Sequence, residues 1–412
     1  MHEKDRFSHV VGCRSILDRI ALASLMTSLF LLPGAVRAQS SVTLYGIIDT
    51  GFLYLRGMSQ GHLVSMGSGD LVPSRWGMTG TEDLGDGTNV IFQLESGFSS
   101  TNGSLTCGMF CREAVIGVTS PAWGTFKAGR IGGNEIQNDS FSTDPQRMNI
   151  FGVTTLVRGR NWTYASNTVE YKTPTWSGLT IKGQYDLTNS TSFNMGNPGS
   201  GPGQLSGPQG RSDGIELTYQ GGPAHFLAIY DEIRDANGQF DNVYQNSRSF
   251  LTGGTYDVGP VTMYGGYQHL SAPQASAEGY FVNAGAAPTA LKGGMGLPTV
   301  ADQEWLGARW NVSPAAGLMA AVYHTNANHG NGNANLWTLG GSYSLSKRTY
   351  LYAEVGLVTN SKTSNIGLDD GYGDPYGANR DDDPLSGPGN TRTSPNFGGS
   401  QVGVVTGIVT HF

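Results

Sequence analysis

Charge is what this 412-residue sequence has least of: Asp, Glu, Lys and Arg together make up 14% of it, against about 25% in an ordinary soluble protein. Basic blocks are absent and the formal net charge is −7, so a nucleic-acid backbone finds no counter-surface. Cysteine is scarce, three in all, which excludes a disulfide-dense scaffold. Beyond residue 38 no run approaches the roughly 20 apolar residues that a membrane-spanning helix needs. The eight histidines make no HExxH or paired-ligand pattern, so no metal is expected. No Gly-rich run follows a strand and opens a helix, so the glycines cradle no phosphate and no cofactor is expected.

Glycine, by contrast, is the commonest residue at 61, and aromatics reach 10%. The mean hydropathy is nevertheless slightly negative, so apolar and polar residues must alternate closely. Such alternation suits a sheet with one wet face and one apolar face, as a barrel in a membrane requires.

The N-terminus reads as a processing segment. A basic-leaning stretch ends at Arg19, the apolar run Ile20 to Leu32 follows, and Pro33-Gly34 precedes the small-residue site Val36-Arg37-Ala38. This is the layout of a secretory signal over 1–38, cleaved after Ala38. A retained anchor is the alternative, but a run of thirteen residues is short of a bilayer span. Residues 1–38 carry five basic and three acidic residues, leaving −9 for the mature 39–412.

The mature chain shows no domain boundary. In SVTLYGIIDTGFLYL, Leu44, Gly46, Ile48, Phe52 and Tyr54 share one face, with Tyr45, Asp49 and Gly51 on the other. Val90, Phe92 and Leu94 oppose Gln93 and Glu95, and Val169 and Tyr171 oppose Glu170 and Lys172. Polar residues inside and apolar ones outside is the polarity of a membrane barrel. Marking such segments from Val42 to Phe412 gives sixteen strands. Seven tight turns fall near Asp83, Ser120, Pro174, Gln220, Asp257, Asn311 and Ser344. Eight longer connections lie at the other end, the longest near 132–160, 189–211, 271–302 and 361–400, so both termini share the turn side.

Five stretches carry a specific likeness: SSVTLYGIIDTG at Ser40, SRWGMTGTEDLGDGTNVIFQLESGF at Ser74, REAVIGVTSPAWGTFKAGR at Arg112, NTVEYKTPTWSG at Asn167 and YSLSKRTYLYAEVG at Tyr343. Through them the mature chain resembles the general-diffusion porins of proteobacterial outer membranes. The resemblance implies an all-β fold, a sixteen-stranded antiparallel transmembrane β-barrel with an inward-folded constriction loop. It implies passive diffusion of small hydrophilic solutes and ions, no catalysis, and a homotrimer in the outer membrane of a Gram-negative bacterium, reached through the periplasm. Outer-membrane lipid, lipopolysaccharide and the barrel-assembly machinery are the implied partners. The terminal Phe412, with Val402, Val404 and Ile408 on its face, resembles the signal that this machinery reads.

By the same resemblance, the loop after the fifth strand, about 132–160, forms the eyelet and basic residues oppose it. Arg75, Arg112, Arg130, Arg160 and Lys172 are the candidate wall residues, and Glu135, Asp139 and Asp144 the candidate loop carboxylates. Arg75 shares parity with Gly77, Thr79 and Thr81, opposite Trp76 and Met78, and so aims inward. Lys127 and Arg130 have opposite parity, so one must lie beyond the strand if both face the lumen. A rim or interface salt bridge is the alternative for each basic residue. Arginines at the eyelet would favour anions, because local charge outweighs charge beyond the screening length of about 8 Å.

Cys107 and Cys111 survive the signal's removal and are expected to pair in an oxidising compartment. The acidic stretch around Asp369, Asp370, Asp374, Asp381, Asp382 and Asp383 matches no EF-hand and reads as a solvated loop that repels anions. Two other function classes compete with the channel. A barrel-borne lipase or protease needs a Ser/His or Asp/His constellation, and none is recognisable. An adhesin acting through its loops would have a plugged lumen and no conductance.

Overall fold

Period-two alternation sets the strands, and the short turns between them set their order. The computed structural model describes residues 41–59, 61–106, 108–131, 139–146, 151–156, 165–187, 202–203, 207–208, 211–234, 239–240, 243, 247–274, 299–328, 333–368 and 394–412. Strand β1 is Ser41–Arg56, and β2 has two halves, His62–Ser68 and Arg75–Gly85. Then come β3 Thr88–Gly97, β4 Glu113–Ser120, β5 Gly124–Ile131, β6 Ala165–Lys172 and β7 Leu179–Asp186. The next are β8 Arg211–Gly221, β9 Ala224–Arg234, β10 Arg248–Val258, β11 Val261–Ser271 and β12 Val300–Asn311. The last are β13 Ala316–Ala327, β14 Ala334–Ser344, β15 Thr349–Asn360 and β16 Ser400–His411.

Every strand pairs antiparallel with its neighbours in the sequence, and β1 pairs with β16 from Ile47 opposite His411 to Arg56 opposite Val402. The seam continues past the last strand. Phe412 and Gly46 exchange backbone hydrogen bonds of 3.0 and 3.1 Å. Closure leaves no open sheet edge, which is what lets backbone polar groups sit in hydrocarbon. The barrel is one unit, Ser40–Phe412.

Both halves of β2 lie end to end along β1: Ser41–Ile47 faces the second half and Thr50–Arg56 the first. The intervening 69–74 leaves the sheet and is held by Asp49, whose Oδ2 accepts the amides of Leu71 and Val72 at 2.8 and 2.9 Å. Tyr352 donates to its other oxygen at 2.9 Å. Asp49 is fully buried, so this inward carboxylate ties the interrupted strand to β15 rather than facing the water of the lumen.

All seven expected tight turns are present at one end of the barrel, so the strand ends that the eight longer connections join lie at the other. In the first turn Asp86 and Gly87 have φ of 52° and 74°, the left-handed pair that a two-residue hairpin requires and that Asp-Gly adopts readily. The outer surface is apolar: Leu44, Phe52, Ile116 and Leu306 are each about 60% exposed. In water a surface of that kind would aggregate, whereas lipid covers it. The opposite face of each strand carries polar side chains such as Gln184, Glu216, Gln268, Gln303 and Thr338.

One inner patch breaks that rule. Leu53 and Leu55 of β1, with Tyr323, Leu336, Val358 and Val405, form an apolar cluster on the lumen side. Simple alternation gives no reason for it; the loop that covers it does.

Candidate pore constriction

The connection between β5 and β6 supplies the cover. Within it, a 3-10 turn spans Asp139–Thr143 and another Val153–Thr155. Phe151, Val153 and Leu156 are buried against the inner apolar cluster of β1 and β12–β16. A side chain on Gly356 or Gly403 would lie within 2.9 Å of the Phe151 ring, so glycine at both positions makes room for it. A loop leaving β5 therefore crosses the lumen and docks on the far wall.

Polar contacts fix its path. Trp305 donates its indole N–H to the Thr143 carbonyl at 2.8 Å, and Gln303 its amide to the Val153 carbonyl at 2.7 Å. Arg309 donates to the Pro145 carbonyl, and Gln146 reaches Thr338 of β14 at 2.6 Å. Asp144 is fully buried. Its carboxylate accepts the amides of Gln146 at 2.9 Å and Val153 at 3.0 Å, and the hydroxyl of Tyr323. One side chain thus joins both ends of the inner segment to β13.

The inner wall from β2 to β7 carries basic side chains paired with carboxylates. Arg75 and Arg112 share Glu95 at 3.4 and 2.6 Å, and Tyr45 donates to the same carboxylate at 2.9 Å. Lys127 lies 3.8 Å from Glu170. The arginine side chains keep 24% and 19% of their exposure and Lys127 22%, while Glu95 keeps 9% and Glu170 2%. In each of these pairs the basic side chain is more exposed than the carboxylate that binds it, and Glu113, opposite Glu95 on the same wall, is half-buried. Further round, Lys182 is buried between Asp139 of the loop at 2.6 Å and Glu216 of β8 at 3.1 Å. That pair of contacts tethers the near end of the loop.

The sequence-chosen residues are distributed accordingly. Arg75 and Arg112 come together on Glu95. A β-bulge between Gly129 and Ile131 separates Lys127 from Arg130, and Arg130 reaches the Cys111 carbonyl and the Ser166 hydroxyl. Lys172 stands opposite Lys182 at the turn end of β6 and is exposed. Asp139 is bound to Lys182, and Asp144, expected as an eyelet carboxylate, is instead withdrawn from solvent as the loop's anchor. Glu135, Arg160, Cys107 and the acidic run from Asp369 lie outside the described residues. Cys111 is buried and disulfide-bonded. Phe412 is half exposed on the outer face at the seam. Lys182 and Arg309 are not singled out from the sequence, and Glu95 is marked there only as an inward side chain. Lys182 shares inward parity with Gln184 and Asp186, the one signal that could have found it.

A closed barrel with a lipid-compatible exterior, a polar interior and a loop folded across the lumen defines a transmembrane diffusion channel. The chain belongs to the Gram-negative porin family, which it matches over residues 21–363. An outer membrane porin protein of Bordetella pertussis is 33% identical over 372 residues, covering 81% of this chain and 94% of that one. Outer membrane porin protein 32 of Delftia acidovorans is 26% identical over 365 residues, with 85% and 91% covered. Among solved structures, an anion-selective porin from Comamonas acidovorans superposes with a TM-score of 0.68 at 22% identity, covering 91% of this chain and all of that one. A trimer form of OmpT of Vibrio cholerae gives 0.56 at 15% identity, over 90% and 99%. This chain is thus an outer-membrane porin through which small solutes diffuse, and its family consists of channels rather than enzymes.

Proposed function

We propose that this porin works as a homotrimer whose pores prefer anions, with Arg75, Arg112, Lys127 and Lys172 facing the inward loop. The observation that carries the selectivity is the exposure difference across the wall: the basic side chains are more exposed than the carboxylates they pair with. Fixed charge at a narrow, low-dielectric passage acts strongly on a permeant ion. The trimer rests on the outer surface. Near the turn end, outward aromatics run from β5 to β14, among them Phe126, Tyr171, Tyr219, Tyr256, Trp310 and Tyr343. From β15 round to β1 the corresponding positions are aliphatic (Leu351, Ile408, Leu44 and Val42), apart from Phe412. Aromatic belts mark a lipid–water boundary, so the stretch without them is the wall that meets another subunit.

Planar-bilayer recording tests both parts. Insertion should give three equal conductance steps, and a KCl gradient should give a reversal potential of the sign set by chloride. Single steps, or a potassium-set reversal, would overturn the respective half. A correctly folded barrel that passes no current would instead favour a loop-borne adhesin.

Export follows the expected route in this reading. The signal 1–38 is removed, the machinery that recognises Phe412 inserts the barrel, and lipid and lipopolysaccharide surround it. Cys111 pairs with Cys107. Intact mass of the protein isolated from outer membranes checks the processing and the pairing together. The chain should begin at Gln39, take no alkylating label when folded and oxidised, and take two after reduction. A label before reduction would refute the pairing.

A further inference from the structure

The outer wall carries a hollow that the diffusion pathway does not use. It lies over β13–β16 toward the turn end as an open depression of about 490 Å³. Its floor is Gly341, Ala353 and Thr406, which stand side by side in register on β14, β15 and β16. Leu318, Tyr343 and Leu351 rise around it, each 40–55% exposed. Small side chains flanked by large ones make a depression, and the lining is almost wholly apolar.

Directly below, the turn joining β14 and β15 exposes Lys347 and Arg348. Among the described residues neither takes part in an ion pair. Strand rise and tilt put the floor of the hollow about 10–15 Å above these cations. That is the separation between the phosphate of a phospholipid and the upper part of its chains. Tyr343, at the rim, is the last aromatic of the belt and marks the level of the headgroups.

We propose that this hollow and turn form a binding site for one anionic phospholipid of the periplasmic leaflet. Lys347 and Arg348 hold the phosphate, and an acyl chain fills the depression over Gly341 and Ala353. The gradient from two cations to an apolar pit matches an amphiphile with a negative head. The hollow reaches into the stretch of wall without aromatics, since Leu351, Ala353 and Thr406 lie on β15 and β16, so the lipid fills a gap at the edge of the subunit contact.

Native mass spectrometry of the folded full-length protein in dodecyl maltoside tests this, with phosphatidylglycerol and phosphatidylcholine of identical chains as probes. The wild type should retain phosphatidylglycerol about tenfold better than phosphatidylcholine, as two cations near the headgroup require. The double change Lys347→Ala and Arg348→Ala should abolish that preference, and Ala353→Leu, which fills the pit from outside the lumen, should lose both lipids. Unchanged single-channel conductance shows that each variant is folded. Equal retention of the two lipids by the wild type would overturn the proposal, as would full retention by Ala353→Leu. A fall in the oligomeric mass of Ala353→Leu with lipid retention intact would assign the hollow to a second copy of the chain instead.

Discussion

In an Asp144→Ala variant the single-channel conductance is expected to rise, and the steady open level to break into flicker, while the barrel stays folded. The carboxylate accepts two loop amides and the Tyr323 hydroxyl in a site closed to water. Alanine leaves all three donors without that acceptor, and each buried orphan costs about 1–3 kcal/mol. Remaining attachments, such as the Gln303 and Trp305 bonds and the burial of Phe151, keep the segment near the wall. The loop should therefore fluctuate rather than leave. The sheet closes through its own backbone ladder, so heat-modifiable migration should persist. Tyr323→Phe removes one of the three bonds and should produce a smaller change of the same kind. Wild-type conductance and noise in Asp144→Ala would show that the carboxylate does not hold the constriction.

The second large effect concerns selectivity. Changing Arg75 and Arg112 together to Gln should shift the chloride-to-potassium permeability ratio toward potassium by about tenfold in 0.1 M KCl. A unit charge about 6 Å from a permeant ion is worth about 1 kcal/mol at an effective dielectric between bulk water and the protein interior. Two such charges lose part of their joint effect to screening, which is why low salt is the right condition. Glu95→Gln should move the ratio the opposite way, because it releases both arginines from their shared partner. The two variants thus serve as each other's control. Shifts of the same sign, or none, would place this cluster away from the current path.

Both variants act where the chain brings together residues far apart in sequence, and reading the sequence is weakest in the same places. It assigns Asp144 to the inward loop but sends its carboxylate to the lumen. The partner that withdraws it, Tyr323, lies 179 residues further on. For Arg75, parity alone points to the inner face, and the strand carries the side chain to Glu95. Parity cannot handle Arg130, because a bulge after Gly129 interrupts the alternation on which the inference depends.

The sixteen strands, the seven turns, the inward polarity and the family are all legible in the order of the residues. A strand repeats every two residues and a tight turn is written in two or three, so this information is local. The split of β2 around an excursion held by Asp49 is not local, nor is the burial of Lys182 between Asp139 and Glu216. The same holds for Leu53 and Leu55, whose inward aim into a polar lumen makes sense only once the loop lies over them. A loop of some thirty residues has no period of its own. Its conformation is set by the wall it lands on, and that wall is assembled only when the barrel closes.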